Sequence, residues 1–170
     1  MMLVIIKLVI LALILLICTQ IGILKAKMYD NRVIALKKFK NSLEMLKSKI
    51  EFTYEPIKDI FEEISKIIFS DKENVFSSTV ELMNKNGVNE SWCMAVENDS
   101  NFNLEDKSTI KMFGKLLGRT DKAGQINEIN VTSKLVDRLI EKAESEKAKN
   151  YKLFKTLGVV VGIGICIIIV

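Results

Sequence analysis

Two nearly uninterrupted apolar segments, 1–24 and 157–170, bracket a middle region that holds nearly every charge of the chain. The second segment shows no polar face, which a core helix of a soluble protein would normally have. Basic residues lie on the middle-region side of both segments: Lys25, Lys27, Arg32, Lys37, Lys38 and Lys40 after the first, and Lys147, Lys149, Lys152 and Lys155 before the second. Because basic flanks stay in the cytoplasm, the pattern predicts two membrane helices that hold a cytoplasmic domain at the cell membrane.

The lengths of the apolar segments set the expected domain limits. We expect an N-terminal transmembrane helix over 1–24, a cytoplasmic helical bundle over 25–155 and a C-terminal transmembrane helix over 156–170. The uncharged stretch 8–24 gives about 25 Å of helix and the stretch 157–170 about 21 Å, against a hydrocarbon core of about 30 Å. The second segment therefore crosses completely only if the residues before it enter the headgroup region. A buried core helix is its alternative.

A signal peptide is the alternative for the first segment, because the sequence around Cys18 resembles a lipoprotein cleavage box. Ile17 stands before Cys18 where a small residue is usual, and no small-x-small cleavage site follows. Only Lys7 precedes the apolar run, whereas many basic residues follow it. This charge balance favours a membrane helix that keeps the downstream domain inside.

Small residues recur one helical turn apart in both segments, as Gly22-x-x-x-Ala26 and Gly158-x-x-x-Gly162. This spacing lets helix backbones approach closely inside a membrane. We therefore expect Gly22, Ala26, Gly158 and Gly162 to pack the membrane helices on each other or on partners. The alternative is that these glycines reflect only the general frequency of glycine in membrane helices.

Helical periodicity through the middle region predicts an all-α fold, a compact helical bundle of about six helices counted with the membrane segments. The first stripe recurs at spacings of three and four residues: Leu36, Phe39, Leu43, Leu46 and Ile50. No glycine or proline lies between Ile23 and Tyr54. The first membrane helix should therefore continue directly into the bundle.

Capping residues divide the remaining sequence. Pro56 suits the first turn of a second helix, Gly87 the left-handed end of a third, and Asn89 the cap of a fourth. Asn103 should cap the fifth helix, and the last should begin near Asp121. The apolar faces expected of the second and fifth helices are Ile57, Ile60, Phe61, Ile64, Ile67 and Ile68, and Leu104, Ile110, Met112, Phe113, Leu116 and Leu117.

The composition argues against strands. Outside the apolar segments the breakers are only Gly87, Gly114, Gly118, Gly124 and Pro56, too few for a chain of short strands. Of these, Gly118 is the expected end of the fifth helix.

The residue inventory also argues against catalysis. The chain has no histidine, which is the commonest general base and metal ligand. Cys93 is the single cysteine outside the apolar segments, so neither a disulfide framework nor a thiolate metal site is available there. No P-loop, dinucleotide turn or CxxC pair is present. We expect no enzyme, no catalytic residue, no metal, no cofactor and no small-molecule substrate.

A net charge of +4 raises the question of nucleic acid. Lysine and glutamate are interspersed through the middle region, and its few aromatic residues form no evident stacking platform. Nucleic-acid binding is therefore not expected.

Particular residues resemble the stage III sporulation protein AB family of endospore-forming bacteria. The resemblance covers almost the whole chain, although 70–103 carries little of it. The residues that carry it are Gly22, Ala26, Tyr29, Arg32, Leu36, Leu43, Leu46, Ile50, Tyr54, Pro56, Ile57, Phe113, Gly114, Leu117, Gly118, Asp121, Gln125, Lys155, Leu157, Gly158 and Gly162.

The resemblance implies a mother-cell membrane protein of a secretion-like channel complex that joins mother cell and forespore. It also implies a cytoplasmic bundle similar to the platform proteins of type II secretion and type IV pilus machines. The implied partners are an ATPase of the stage III sporulation protein AA type and other membrane subunits of the sporulation channel. We therefore expect a noncatalytic scaffold that couples a cytoplasmic ATPase to membrane components.

The corner before the last helix is the candidate partner contact. It comprises Arg119, Asp121, Lys122 and Gln125, and the alternative is that these residues only shape and cap the corner. The alternative function is a small membrane-active or pore-forming protein whose apolar helices oligomerise. Conductance of the purified protein in liposomes would separate that function from a scaffold.

Overall fold

The computed structural model describes residues 2–70, 73–115, 117 and 121–169. In this part of the chain the helices are α1 Met2–Phe52, α2 Ile57–Phe69, α3 Val75–Leu82, α4 Val88–Asn98, α5 Leu104–Gly114 and α6 Lys122–Ile169. The predicted all-α fold of about six helices, two of which carry the apolar segments, is confirmed.

The chain forms two compact units. We call the unit formed by α1 up to Val33 and α6 from Lys142 onward the helix pair, and the unit 34–141 the bundle. Continuity of α1 from the apolar segment into the bundle sequence was predicted and is confirmed. The helix ends at Phe52, shortly before Pro56, because a residue that precedes proline is driven away from the α conformation.

The bundle core is built around Trp92, which is fully buried. Its ring lies 5.4–6.1 Å, centroid to centroid, from four phenylalanine rings: Phe39, Phe61, Phe76 and Phe113. The indole Nε1 donates to the backbone oxygen of Ile110 at 2.8 Å. Because the buried N–H has an acceptor, the large ring contributes apolar burial without an unsatisfied polar group.

Gly114 lies directly against Trp92. A Cβ atom added at Gly114 would come 2.1 Å from Cδ1 of the indole. No side chain fits there, so glycine is required at the end of α5 for the tryptophan to occupy the centre of the core.

Asparagine side chains cap two of the short helices. Asn74 accepts from the backbone N–H groups of Phe76 and Ser77 at the start of α3, and Asn103 accepts from that of Asp106 at the start of α5. Such caps satisfy N–H groups that have no partner within the helix. The predicted role of Asn103 is confirmed.

The predictions for Gly87 and Asn89 were wrong. Helix α3 ends at Leu82, because the chain then turns through bonds such as Lys85 N–H to Leu82 O at 3.0 Å. Gly87 has φ −67° and precedes α4 in an extended conformation, and Asn89 lies inside α4. Among the described residues other than glycine, Ser70 is the one in the left-handed region, with φ 53° after α2. Gly118 lies outside the described residues, and α5 already ends at Gly114.

Some residues assigned to apolar faces are exposed. Ile67 is 62% exposed, Leu104 84% and Met112 49%. Pro56 immediately precedes α2 instead of lying in its first turn. In α2 and α5 the periodicity thus marked the correct side of the helix but overestimated the width of the face that the neighbouring helices cover.

Candidate membrane anchor and partner corner

The helix pair is antiparallel. Gly22 of α1 lies opposite Gly158 of α6, and Leu15 lies opposite Gly162. Further along, the Sγ of Cys166 lies 3.5 Å from the backbone oxygen of Leu11. The residue numbers at successive contacts therefore increase along α6 as they decrease along α1.

Backbone meets backbone at the centre of the helix pair. A Cβ added at Gly22 would lie 2.7 Å from the oxygen of Phe154 and 2.9 Å from the Cα of Gly158. One added at Gly158 would lie 2.8 Å from the oxygen of Cys18. Because a backbone cannot yield as a flexible side chain does, any larger residue would push the helices apart.

The other small residues differ in their surroundings. Ala26 is buried, with 1% exposure. A Cβ at Gly162 would lie 3.0 Å from a methyl group of Leu15 and 3.2 Å from the Cβ of Cys18, whereas a Cβ at Gly164 would meet nothing within 4 Å. The structure thus brings Gly22 and Gly158 into direct contact and leaves Gly164 outside the contact.

The exterior of the helix pair is apolar. In the most apolar 18-residue stretch of each helix, only 6% of α1 and 11% of α6 is buried. Both helices are long and apolar enough to cross a membrane. A core helix of a soluble protein can be equally long and apolar, but it would be mostly buried. The exposed side chains include Ile5, Ile6, Val9, Ile10, Leu13, Leu16, Ile17, Ile21, Val160, Ile163, Ile167 and Ile168.

Two ion pairs join α1 and α6 beyond the apolar part. The basic residue lies on α1 in one pair and on α6 in the other. Arg32 donates to Glu146 at 2.6 Å and Lys147 donates to Asp30 at 2.5 Å. The hydrogen bond to Asp30 raises the pKa of Lys147 above its ordinary value. Since α1 supplies one acid and one base and α6 the complementary pair, the two bonds favour a single register. The Arg32 side chain is only 8% exposed, so removing Glu146 would leave a nearly buried charge without this partner.

The predicted partner corner lies within the bundle, where α6 begins. The side chain of Asp121 accepts from the backbone N–H of Gly124 at 3.0 Å, so it caps α6. The ammonium of Lys122 donates to the backbone oxygen of Glu51 in the last turn of α1, where a cation is favoured by the helix dipole. Gln125 lines a small gap beside Ile50 and other core residues. Arg119 lies outside the described residues.

Two exposed aromatic residues lie at this corner that were not predicted as site residues. Phe52 is 77% exposed and Tyr54 is 99% exposed, and the Nζ of Lys122 lies 5.6 Å from the centroid of the tyrosine ring. Exposed aromatic residues beside a cation are the side chains that dominate many protein interfaces. The available signal was that both follow the last residue of the α1 stripe, just before Pro56.

A polar depression on the bundle has a volume of about 180 Å³ and includes Asn74, Asn98, Asp99 and Asn101 in its lining. The Asp99 carboxylate accepts from the backbone N–H and the side-chain amide of Asn101, at 2.8 and 2.9 Å. Within the described ranges no group of three or more Cys, Asp or Glu side chains could hold a metal ion.

Comparison with known proteins identifies the family. The model of the stage III sporulation protein AB family matches residues 7–170. The chain is also 23% identical over 150 residues to the stage III sporulation protein AB of Bacillus subtilis (strain 168), an alignment that covers 85% of this chain and 88% of the relative. No solved structure matches. The chain therefore belongs to the stage III sporulation protein AB family, and this membership supports a role in sporulation.

Proposed function

We propose that the protein is a noncatalytic platform subunit that couples a cytoplasmic ATPase to the membrane components of a sporulation channel complex. The helix pair is the observation that carries this proposal. Its two apolar helices are in backbone-to-backbone contact at Gly22 and Gly158, and their outward-facing apolar side chains are exposed. In water such a surface would be costly, since each Å² of exposed apolar surface costs about 25 cal/mol. In lipid the same surface is satisfied, and the close glycine contact holds the two spans together.

The basic residues on the bundle side of both spans support a cytoplasmic position for the bundle. In this proposal 1–24 and 156–170 cross the mother-cell membrane, and 25–155 lies in the cytoplasm of the mother cell. The sporulation role of the family is what directs the proposal to that membrane.

The proposed contact for an ATPase of the stage III sporulation protein AA type is the partner corner together with the aromatic residues beside it. Phe52, Tyr54 and Lys122 would make the contact, because two exposed rings and a cation combine apolar area with a charge. Asp121 would act indirectly by capping α6 and so fixing where Lys122 lies. Gln125 would contribute from the inner edge of the corner, and Arg119 from the segment before Asp121.

A pull-down with the purified ATPase tests this contact. The triple variant Phe52→Ser, Tyr54→Ser, Lys122→Glu should bind at least about tenfold more weakly, because the loss of interface hot-spot residues costs about 2 kcal/mol or more and a tenfold change in affinity corresponds to about 1.4 kcal/mol. The matched control Ile67→Ser, Leu104→Ser, Lys85→Glu removes two exposed apolar side chains and reverses one charge elsewhere on the bundle. It should bind as the wild type does.

Fluorescence of the single tryptophan, Trp92, reports whether each variant retains the buried core. If the triple variant keeps the native emission and binds the ATPase with unchanged affinity, the corner is not the contact. Equal loss of binding in the control variant would likewise contradict a localised site.

A further inference from the structure

We propose that five lysines surrounding the helix pair form a binding band for anionic phospholipid headgroups. The inference rests on the membrane anchoring proposed above. The lysine band consists of Lys25, Lys27, Lys149, Lys152 and Lys155. All five side chains are exposed, and none forms an ion pair with any residue that the structure describes.

The lysine band has defined limits along the helix pair. On one side lies the contact between Gly22 and Gly158, and on the other the ion pair between Asp30 and Lys147. The sequence between these limits, 23–29 in α1 and 148–157 in α6, contains no Asp or Glu.

Charge is balanced differently beyond the second limit. There Asp30 and Glu146 pair with Lys147 and Arg32. On the bundle side of the apolar part, uncompensated positive charge of the helix pair therefore lies between these two limits. An anionic ligand would gain most at that level, where no carboxylate repels it.

The lysines lie around the helix pair and not on one side of it. Lys25 and Lys27 flank the buried Ala26, and each successive residue turns by about 100° around an α-helix, so the two lysines point to opposite flanks of α1. Lys149, Lys152 and Lys155 extend over a further arc of α6 by the same rule. A protein partner would approach from one direction, whereas a headgroup layer surrounds the pair, so this distribution fits a lipid surface.

The height of the lysine band also fits a headgroup layer. From Lys149 to Lys155 the helix rises about 9 Å, comparable with the roughly 5–8 Å of headgroup region on each side of a bilayer. The rings of Tyr29 and Phe154 stack in the same band, with centroids 5.8 Å apart. Aromatic side chains concentrate at the interface between lipid and water.

Spin-label spectroscopy of the full chain in vesicles of phosphatidylcholine and phosphatidylglycerol tests the inference. Motionally restricted lipid reports the lipids that contact the protein. We expect spin-labelled phosphatidylglycerol to be enriched over spin-labelled phosphatidylcholine by about fivefold at low salt, as expected for a lysine near an anionic headgroup. The enrichment should approach unity near 1 M salt, where the screening length is only about 3 Å.

Replacing all five lysines of the band by glutamine should abolish the enrichment. The matched control replaces Lys47, Lys66, Lys85, Lys115 and Lys134 of the bundle by glutamine and changes the net charge equally, and it should retain the enrichment. The lysine band is contradicted if the wild type restricts both lipids without a headgroup preference, or if both variants lose the enrichment equally. Neither result would contradict the membrane anchoring. If no restricted lipid of either kind appears, the membrane anchoring itself is wrong.

Discussion

The helix pair and the bundle place their large side chains in opposite ways. The bundle has large aromatic side chains at its centre, with Trp92, Phe61 and Phe76 each at 0% exposure. The helix pair places glycine at its contact and directs its large side chains outward, with Ile5 55% and Ile17 58% exposed. Both α1 and α6 contribute sequence to both units, so the kind of packing changes along each of these two helices.

Glycine therefore has two different roles in this chain. Gly114 makes room for one large ring inside a core that excludes water. Gly22 and Gly158 make room for a second backbone, which is the form of packing that remains available where lipid removes the hydrophobic driving force between helices. Gly87 and Gly164, around which an added Cβ would meet nothing within 4 Å, are the matched controls for these two roles.

The largest expected effect is at Gly114. Its change to alanine would place a Cβ only 2.1 Å from Cδ1 of Trp92, and we expect a loss of about 3 kcal/mol in the free energy of unfolding of the bundle. Gly87→Ala is the control, since no atom lies within 4 Å of its added Cβ, and it should cost less than about 1 kcal/mol. Denaturant titration followed by tryptophan fluorescence measures both. Similar losses would show that the core does not require this close approach.

The next effect is at the contact of the helix pair. Gly158→Ala should destabilise the pairing of α1 and α6 by about 1–3 kcal/mol, because the added methyl group meets backbone. Gly164→Ala, with open space around its Cβ, should leave the pairing intact. Oxidative cross-linking of Leu11→Cys to the native Cys166, with Cys18 and Cys93 replaced by serine, reports the pairing. We expect cross-linking to slow at least about fivefold in the first variant only, and equal rates would contradict the proposed contact.

A smaller effect is expected at the ion pairs of the helix pair. Glu146→Gln leaves the nearly buried Arg32 without the carboxylate partner at 2.6 Å, and we expect a cost of about 1 kcal/mol because Glu146 itself is partly exposed. Glu141→Gln, at an exposed carboxylate of the same helix, is the control. The thermal midpoint of the full chain in detergent should fall further in the first variant than in the second.

The smallest effect concerns Glu97 at the surface of the bundle. Its hydrogen bond with Lys111 lowers the pKa of Glu97 below its ordinary value. A lowered pKa in the folded state gives stability that is present above the unfolded pKa and is lost as the pH falls through the folded value. Glu97→Gln should therefore reduce stability slightly at pH 7 and match the wild type in strong acid. A difference that stays constant with pH would exclude this carboxylate as its source.

Most of the helical architecture follows from local sequence. The stripe through Leu36 and Leu46 identified the buried face of α1, the absence of breakers identified its continuity, and Asn103 identified the start of α5. The errors arose where one residue type serves two purposes. Gly87 can end a helix or precede one, and only the turn after Leu82, which depends on tertiary packing, decides between them.

The candidate sites are harder to predict from the sequence than the helices are. The spacing of Gly22 and Gly158 suggested close packing, but that the two glycines meet each other depends on the register of two segments far apart in the chain. The exposure of Tyr54 and the contact of Gly114 with Trp92 likewise depend on tertiary structure. No local pattern carries such information.

Accessibility of single cysteines in intact cells tests the central claim most directly. In a chain with Cys18→Ser and Cys166→Ser, Cys93 should react with a membrane-impermeant maleimide only after permeabilisation. A cysteine at Ile168→Cys in a chain with all three native cysteines replaced by serine should react in intact cells, because it lies at the far side of the second span. Labelling of Cys93 in intact cells, or recovery of the protein entirely in the aqueous fraction, would contradict a cytoplasmic bundle anchored by two membrane helices.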